Sequence, residues 1–393
     1  MEVGALLAIL ISAIPALYWS VALGNILLLL PKMPKVGDAL RLPAPARWPK
    51  LSVVIPAHNE ERVIETCARS FLASDYPNLE LLFVLDRCTD RTRELLRPLE
   101  CDRLRVHENA SCPADWAGKC NAASVGAGLV GGEYVLFTDA DVEAAPTLLR
   151  AAMAMILERR RGLLSLLPTL TTHAWFEVVV QPAAVMGLLR LYPIDKVNRD
   201  RDRRPFANGQ FLLFERAVYD AIGGHHAVKD DLLEDIAFAR VVEQHGSRGM
   251  IALAERLLVV NMYGSLRAMR EGWKRIYIEA CKRKVERLRA HALRIGLLSV
   301  AAPIVQVAAA VLGLLAGGTT AVVALAVVGA GALAQFLSLW LVFGLSRAPR
   351  AGILAYPLGG AIVAKAFWDG AGDLLRRRPI RWGGREYILA PRD

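Results

Sequence analysis

Two long stretches of this chain lack charged side chains altogether. Neither residues 3–31 nor residues 295–346 contain an Asp, Glu, Lys or Arg, and 54% of the 393 residues are hydrophobic. Because about 20 apolar residues in a helix cross the core of a bilayer, the first stretch can span once and the second twice. This lack of charge excludes a purely soluble, a disordered or a fibrous protein. The residues between the stretches have an ordinary charge density, which excludes a transporter made only of helices.

The first apolar stretch also lacks the basic region that precedes a signal peptide, and it exceeds the roughly 7–15 apolar residues of one. We therefore expect residues 1–31 to be an uncleaved transmembrane anchor. The following basic residues place the globular segment in the cytoplasm by the positive-inside rule. Residues 295–346, interrupted at Gly317–Thr320, then form two transmembrane helices that return the chain to the cytoplasm. The sequence thus predicts a multi-pass protein of the cell membrane.

For a further apolar segment, residues 351–371, the sequence leaves open whether the chain crosses the membrane. It contains Lys365 and leads into three consecutive arginines in the tail 372–393. A full crossing would put this basic tail outside, against the positive-inside rule, so the sequence favours a re-entrant or interfacial segment and a cytoplasmic tail.

Cysteine motifs for structural zinc and nucleic-acid-binding motifs are also missing. The six cysteines form no C-x-x-C pair, which indicates a reducing compartment and no structural zinc. The net charge is +10, but no nucleic-acid motif accompanies it. We expect no nucleic-acid partner and no obligate protein partner. The basic residues instead concentrate in 263–294, which we interpret as one interfacial helix beside anionic lipid headgroups.

Residues 48–262 read as an α/β domain. Short β-branched runs alternate with helical segments, which predicts a mostly parallel sheet with helices on both faces. The predicted strands are 51–56, 79–85, 104–107 and 133–138. Asn59 is the predicted N-cap of a helix that begins near Arg62.

Acidic residues follow two of these strands, where ligands of parallel sheets bind. Asp86 comes directly after one strand, and Asp139 and Asp141 follow another. An isolated Asp-x-Asp pair usually caps a helix. Here the pair ends a buried strand within a series of such acids, so we interpret it as a site for Mg²⁺ or Mn²⁺.

Three further groups have both a simple and a functional interpretation. Lys119 begins a helix of small residues, where it can meet a phosphate, although a surface lysine is the simpler alternative. Asp235 lies near a helix start, where an N-cap or first-turn carboxylate is the simpler explanation. His225 and His226 are adjacent, which predicts loop packing or substrate contact rather than metal binding.

These residues together resemble a known family. The run 56–60 (Pro-Ala-His-Asn-Glu), Asp86, the pair Asp139 and Asp141, and Glu234-Asp235 resemble family 2 inverting glycosyltransferases of the GT-A fold. Further segments resemble membrane-anchored members that act on lipids, namely carotenoid-acid, hopanoid-associated and ceramide glycosyltransferases; these segments are 115–119, 208–210, 262–265, 271–273 and 382–387.

The chain also departs from these relatives. It lacks the Gln/Arg-x-x-Arg-Trp motif of ceramide and cellulose-type enzymes, which weakens a processive synthase or a close ceramide homologue. Arg87 stands where many relatives have a second acid, which favours Asp86 as the nucleotide contact.

The resemblance implies a membrane-bound transfer of a sugar from a nucleotide-sugar, a UDP-sugar above all, to a hydroxyl or carboxyl of a membrane lipid. The metal would be Mg²⁺ or Mn²⁺ on Asp139 and Asp141, and Asp235 would be the general base. The implied donor-binding residues are Pro56, Ala57, His58, Glu60, Asp86, Lys119 and Asp139, and the implied acceptor-side residues are Glu234, Asn208, Gly209, Gln210 and Trp273. The alternatives are a polyprenyl-phosphate or polysaccharide glycosyltransferase and a non-catalytic membrane scaffold, which the presence of every key acid disfavours.

Overall fold

Eight strands form one sheet in the computed structural model, which describes residues 2–316 and 318–392. The strands are β1 (Leu51–Ala57), β2 (Leu79–Asp86), β3 (Leu104–Asn109), β4 (Tyr134–Phe137), β5 (Val142–Ala144), β6 (Leu163–Leu170), β7 (Leu212–Glu215) and β8 (Gly249–Val260). Their order is β3-β2-β1-β4-β7-β6-β8-β5. All but β5 and β7 run in the same direction, which confirms the prediction of a mostly parallel sheet.

Helices cover both faces of this sheet. All α-helices of the described chain, on the sheet and elsewhere, are α1 (Glu2–Leu29), α2 (Ile64–Leu72), α3 (Thr92–Leu96), α4 (Gly118–Gly128), α5 (Leu148–Arg159), α6 (Trp175–Leu191), α7 (Arg216–Ala221), α8 (Glu234–Gln244), α9 (Leu266–Ala280), α10 (Val285–Ile295), α11 (Ala302–Ala316), α12 (Gly318–Leu345) and α13 (Tyr356–Leu375). Because neighbouring strand residues point to opposite faces, Val53 packs with Phe71 of α2 on one face. Val54 packs with Phe238 of α8 on the other. The predicted α/β fold class is therefore confirmed.

The parallel strands bring the predicted site together. β1 pairs with β2 up to Ala57 and Leu85, and with β4 up to Val54 and Phe137. The segments that leave these three strands therefore emerge at the same edge of the sheet. This edge carries residues 57–60, 86 and 139.

The segment between α1 and β1 packs onto the domain. Val36 and Ala39 are buried in the same core as β1. The backbone N–H of Leu253 donates to the carbonyl of Pro34 at 2.8 Å. The core of the globular domain thus takes in residues upstream of position 48.

Four helical segments are long and apolar enough to cross a membrane, namely Ile9–Lys32, Val285–Leu315, Ala321–Leu345 and Arg350–Leu375. The second runs from α10 through a π-helical turn, Gly296–Ala301, into α11. Many apolar side chains on them are exposed, including Leu10, Leu17 and Leu315. The first three segments overlap the predicted spans 1–31 and 295–346, and Arg350–Leu375 contains the segment 351–371, whose crossing the sequence left open. Of the predicted break at 317–320, Gly317 lies outside the described residues.

Two local predictions were wrong. Segment 263–294 is not one helix, because α9 and α10 are separated by a turn in which Lys282 and Arg283 have left-handed backbones, with φ of 58° and 57°. Asn59 does not cap α2, which begins at Ile64. Asn59 has a left-handed backbone with φ of 58°, and its Oδ1 accepts from the N–H of Thr89 at 2.8 Å.

Candidate active site

Lys119 links two of the predicted acids at the edge of the sheet. Its Nζ lies 2.7 Å from Oδ1 of Asp139, which follows β4, and 2.6 Å from Oε1 of Glu234, at the start of α8. Although burial alone would lower the pKa of Lys119, these two carboxylates raise it, so the ammonium group stays charged. Lys119 is therefore an ion-paired residue at the start of α4 rather than a free surface lysine.

The turn 208–210 packs directly against Lys119 and Glu234. The N–H of Gly209 donates to Oδ2 of Asp235 at 2.7 Å. A Cβ at Gly209 would lie 3.2 Å from Nζ of Lys119 and 3.3 Å from Oε1 of Glu234, so this close approach favours glycine. Oγ1 of Thr138 donates to the carbonyl of Gln210 at 2.7 Å, which fixes the turn to the end of β4. The predicted residues Asn208, Gly209, Gln210, Glu234 and Asp235 thus form one unit with Lys119.

Crowding of acids raises several pKa values at this edge. Burial and the neighbouring Asp139 raise the pKa of Glu60 to about 7. Burial and Glu234 raise the pKa of Asp235 to about 7. Burial, followed by Asp139 and Glu60, raises the pKa of Asp141 well above its usual value. The acids outnumber the single ammonium group, so a bound cation or a transferred proton would be stabilised here.

Asp139 and Asp141 fit a divalent cation in part. Oδ1 of Asp141 is buried and has no hydrogen-bond partner, which is an open ligand position for a cation. In the described residues, no group of three or more His, Cys, Asp or Glu side chains is close enough to hold a metal ion alone. A cation on Asp139 and Asp141 would therefore take further ligands from water and from substrate phosphates, as Mg²⁺ commonly does.

On the β1 and β2 side, Asp86 is buried beneath its neighbours. Arg87 donates to both carboxylate oxygens of Asp86, from Nε to Oδ1 at 3.1 Å and from a terminal nitrogen to Oδ2 at 2.5 Å. Nδ2 of Asn109 also donates to Oδ1 at 3.2 Å. Nδ1 of His58 donates to the carbonyl of Asp86 at 2.6 Å. The structure thus brings His58 and Asp86 together, as the resemblance implies.

A hairpin far along the chain covers this side. Its strands are β9 (Pro379–Trp382) and β10 (Arg385–Ile388), joined by Gly383 and Gly384. The Gly383 carbonyl accepts from Arg87 at 3.3 Å, and the N–H of Gly118 donates to the Tyr387 hydroxyl at 3.3 Å. Arg385 donates to the carbonyls of Pro113 and Trp116, which precede α4.

The hairpin turn requires glycine at position 384. Its φ is +70°, and a Cβ there would lie 2.5 Å from Nε2 of His58. Sequence reasoning noted residues 382–387 only as part of a resemblance. A Gly-Gly dipeptide between two short runs of alternating polar and apolar residues is the local signal that predicts such a hairpin.

Two other predicted residues lie in packed surroundings. Trp273 is buried, and its ring stacks on Tyr277 at a centroid separation of 5.5 Å, so both rings pack inside the protein. His225 is also buried, and its Nδ1 lies 2.7 Å from the Tyr219 hydroxyl, which confirms loop packing. Burial lowers the pKa of His225 to about 3.

Comparison with known proteins identifies the domain. The profile of the family "Glycosyl transferase family 2" matches residues 52–223, somewhat less than half of the chain. The chain is 23% identical over 227 residues to the 4,4'-diaponeurosporenoate glycosyltransferase of Staphylococcus haemolyticus, covering 57% of this chain and 60% of that protein. It is 25% identical over 212 residues to the beta-monoglucosyldiacylglycerol synthase of Nostoc sp., covering 48% of this chain and 41% of that protein. The chain thus spans less than two thirds of each of these curated relatives.

A solved structure shows a weaker likeness. The mannosyltransferase PcManGT from Pyrobaculum calidifontis, in complex with GDP-Man and Mn2+, is 20% identical with a TM-score of 0.48, covering 91% of this chain and 99% of that chain. The family profile covers β1 to α7 and includes Asp86, Lys119, Asp139 and Gly209. Residues 52–223, which form most of the mixed α/β sheet, are therefore similar to family 2 glycosyltransferases.

Proposed function

We propose that this chain is a membrane-attached inverting glycosyltransferase that moves a sugar from a UDP-sugar to a hydroxyl or carboxyl group of a membrane lipid. The observation that carries the proposal is the ion pairing of Lys119 with Asp139 and Glu234, next to the Asp235 carboxylate that accepts from the N–H of Gly209. Lys119, Asp139 and Gly209 lie within the residues that match family 2 glycosyltransferases. Lipid acceptors are supported by the four candidate membrane spans. They are also supported by relatives whose names specify diaponeurosporenoate and monoglucosyldiacylglycerol.

Asp235 is the proposed general base. In one displacement the acceptor oxygen bonds to the anomeric carbon, while the bond from that carbon to the diphosphate oxygen breaks and UDP leaves. The acceptor proton passes to the carboxylate of Asp235, and attack from the opposite side inverts the anomeric carbon. A pKa of about 7 suits this role, because a base works best when its pKa is near the working pH.

The remaining residues hold the donor. Pro56, Ala57, His58, Glu60 and Asp86 line the ends of β1 and β2, where the nucleoside would lie. Lys119, at the start of α4, would attract the diphosphate. Mg²⁺ or Mn²⁺ held by Asp139 and Asp141 would neutralise charge on the departing diphosphate.

The acceptor would approach from the α8 side. Glu234 lies beside Asp235, and the 208–210 turn orients the Asp235 carboxylate through the N–H of Gly209. Trp273 belongs to the packed helical cluster that also contains Trp116 and Leu232, which flank the site in sequence. An acceptor contact with Trp273 stays a prediction.

Asp235→Asn tests the proposal. The amide keeps the shape but cannot take a proton, so sugar transfer should fall by about 10²–10⁴-fold while UDP binding is kept. The assay is transfer from radiolabelled UDP-sugars in membranes, with the labelled lipid identified by mass spectrometry and UDP binding measured by calorimetry. Asp230→Asn, on the nearby exposed surface, is the matched control and should transfer normally. Near-normal transfer by the Asp235 variant would refute the base assignment, and a labelled polyprenyl phosphate or polysaccharide would refute the acceptor.

A further inference from the structure

A charged groove lies among the helices α9, α10 and α13. It has a volume of about 580 Å³ and is lined by α9, α10, the second half of α13 and residues that follow α13. The sheet-edge site is elsewhere, since the lining residues include none of Asp86, Lys119, Asp139 or Asp235.

Positive charge is in excess in this groove. Five basic side chains line it together with three acidic ones: Lys274, Arg289, Lys365, Arg376 and Arg378, against Glu271, Asp369 and Asp373. All three acids are paired. Lys274 lies 2.7 Å from both Glu271 and Asp373, Lys365 lies 2.8 Å from Asp369, and Arg378 lies 3.6 Å from Asp373.

Two guanidinium groups are left for a ligand. Among the described residues, no carboxylate oxygen lies within 4.0 Å of Arg289 or Arg376, and both residues are exposed. The guanidinium of Arg289 lies over the ring of Trp368 at 5.8 Å. Trp368 and Leu375 are 57% and 53% exposed, so the groove offers apolar surface next to its unpaired positive charge.

The position of the groove matches a membrane surface. Arg289 lies near the beginning of the candidate span Val285–Leu315, and Arg376 directly follows the candidate span Arg350–Leu375. The beginning of the first of these spans and the end of the second both lie on the side of the globular domain. The reason is that α9 precedes α10 and that the hairpin after α13 returns to the sheet edge. Tryptophan and arginine are common at such membrane–water boundaries.

We propose that this groove binds the phosphate of an anionic phospholipid headgroup. The phosphate oxygens accept from Arg289 and Arg376, while the adjoining glycerol and acyl carbons lie along Trp368 and Leu375. Guanidinium groups suit this ligand because they donate two parallel hydrogen bonds to a phosphate. The inference rests on the membrane attachment in the proposed function, but not on sugar transfer.

The experiment measures thermal unfolding of the full chain in detergent micelles. Phosphatidylglycerol, phosphatidylcholine or inorganic phosphate is added, and native mass spectrometry counts the retained lipid. Phosphatidylglycerol should raise the unfolding midpoint by roughly 3 °C, because a ligand that binds only the folded chain stabilises it. Phosphatidylcholine has the same phosphate but adds a choline cation, which the excess positive charge of the groove repels, so it should raise the midpoint much less. Inorganic phosphate lacks the acyl carbons and should leave the midpoint unchanged.

Matched variants locate the binding site. Arg289→Ala with Arg376→Ala should abolish the shift and the retained phosphatidylglycerol, whereas Arg289→Lys with Arg376→Lys should keep part of both. The control is Arg287→Ala with Arg377→Ala, which removes the same charge from exposed neighbours outside the groove and should respond as the wild type does.

Several outcomes would overturn the proposal. An equal loss in the control pair would mean a general surface potential, and an equal response to phosphatidylcholine would mean no headgroup recognition. A response to inorganic phosphate alone would mean a free phosphate rather than a lipid. Because no readout is sugar transfer, these outcomes are separate from a failure of Asp235→Asn.

Discussion

At the edge of the sheet, five carboxylates gather around one ammonium group, whereas the groove between α9, α10 and α13 holds five basic side chains and three acids. The first cluster is largely buried, and burial together with the excess negative charge raises the pKa values of Glu60, Asp141 and Asp235. The second is open to solvent, and its excess charge is free to attract an outside ligand. The comparison teaches that burial lets an unbalanced charge change the protonation of neighbouring groups, whereas exposure leaves it accessible to a ligand from solvent.

Removing the ammonium group from the acid cluster should have the largest effect. Lys119→Met leaves Asp139 and Glu234 without their shared partner, and breaking a buried ion pair costs about 3 kcal/mol. We expect this loss in the free energy of unfolding, measured by urea denaturation, together with weaker UDP binding. The control is Lys229→Met, because Lys229 pairs with the exposed Asp115 and should change stability little. Equal effects in the two variants would remove the distinction between buried and exposed charge.

The pH dependence of sugar transfer should show the next largest effect. Asp235 accepts a proton only when it is ionised, and its pKa is raised to about 7, so acid should inactivate the enzyme and base should restore it. Below pH 7, kcat/KM should fall about tenfold per pH unit. UDP binding measured over the same range controls for loss of the donor. An unchanged rate down to about pH 5 would contradict the raised pKa.

Salt should have the smallest effect, and it should act on the groove alone. Raising NaCl from about 0.05 to 0.5 M shortens the screening length, so phosphatidylglycerol should bind the exposed groove roughly threefold more weakly. The stability difference between wild type and Lys119→Met should stay nearly constant, because that ion pair is largely buried. If phosphatidylglycerol binding and this stability difference depended on salt to the same degree, the prediction that only the exposed charges are screened would be wrong.

The sequence predicted the sheet edge because strand signals are local. β-Branched runs define β1, β2 and β4, and acids placed directly after them must meet where parallel strands end. Asp86 and Asp139 could be placed in this way without any knowledge of distant contacts.

Other features could not be predicted because they depend on contacts between distant residues. Asn59 has the composition of an N-cap, but its side chain binds the loop after β2 instead. The pairing of Lys119 with Glu234 joins residues far apart in sequence. The break between α9 and α10 depends on left-handed backbones at Lys282 and Arg283, residues that rarely signal a turn.

The hairpin has a consequence for how the site is made in the cell. Gly383 contacts Arg87 across 296 positions of the chain. A ribosome adds residues from the N-terminus, and early segments fold before late ones are synthesised. The sheet and its acids can thus assemble first, while the cover over Asp86 arrives only after the membrane helices have been translated. The completed site is a late product of biosynthesis, formed only after all four candidate membrane spans have been synthesised.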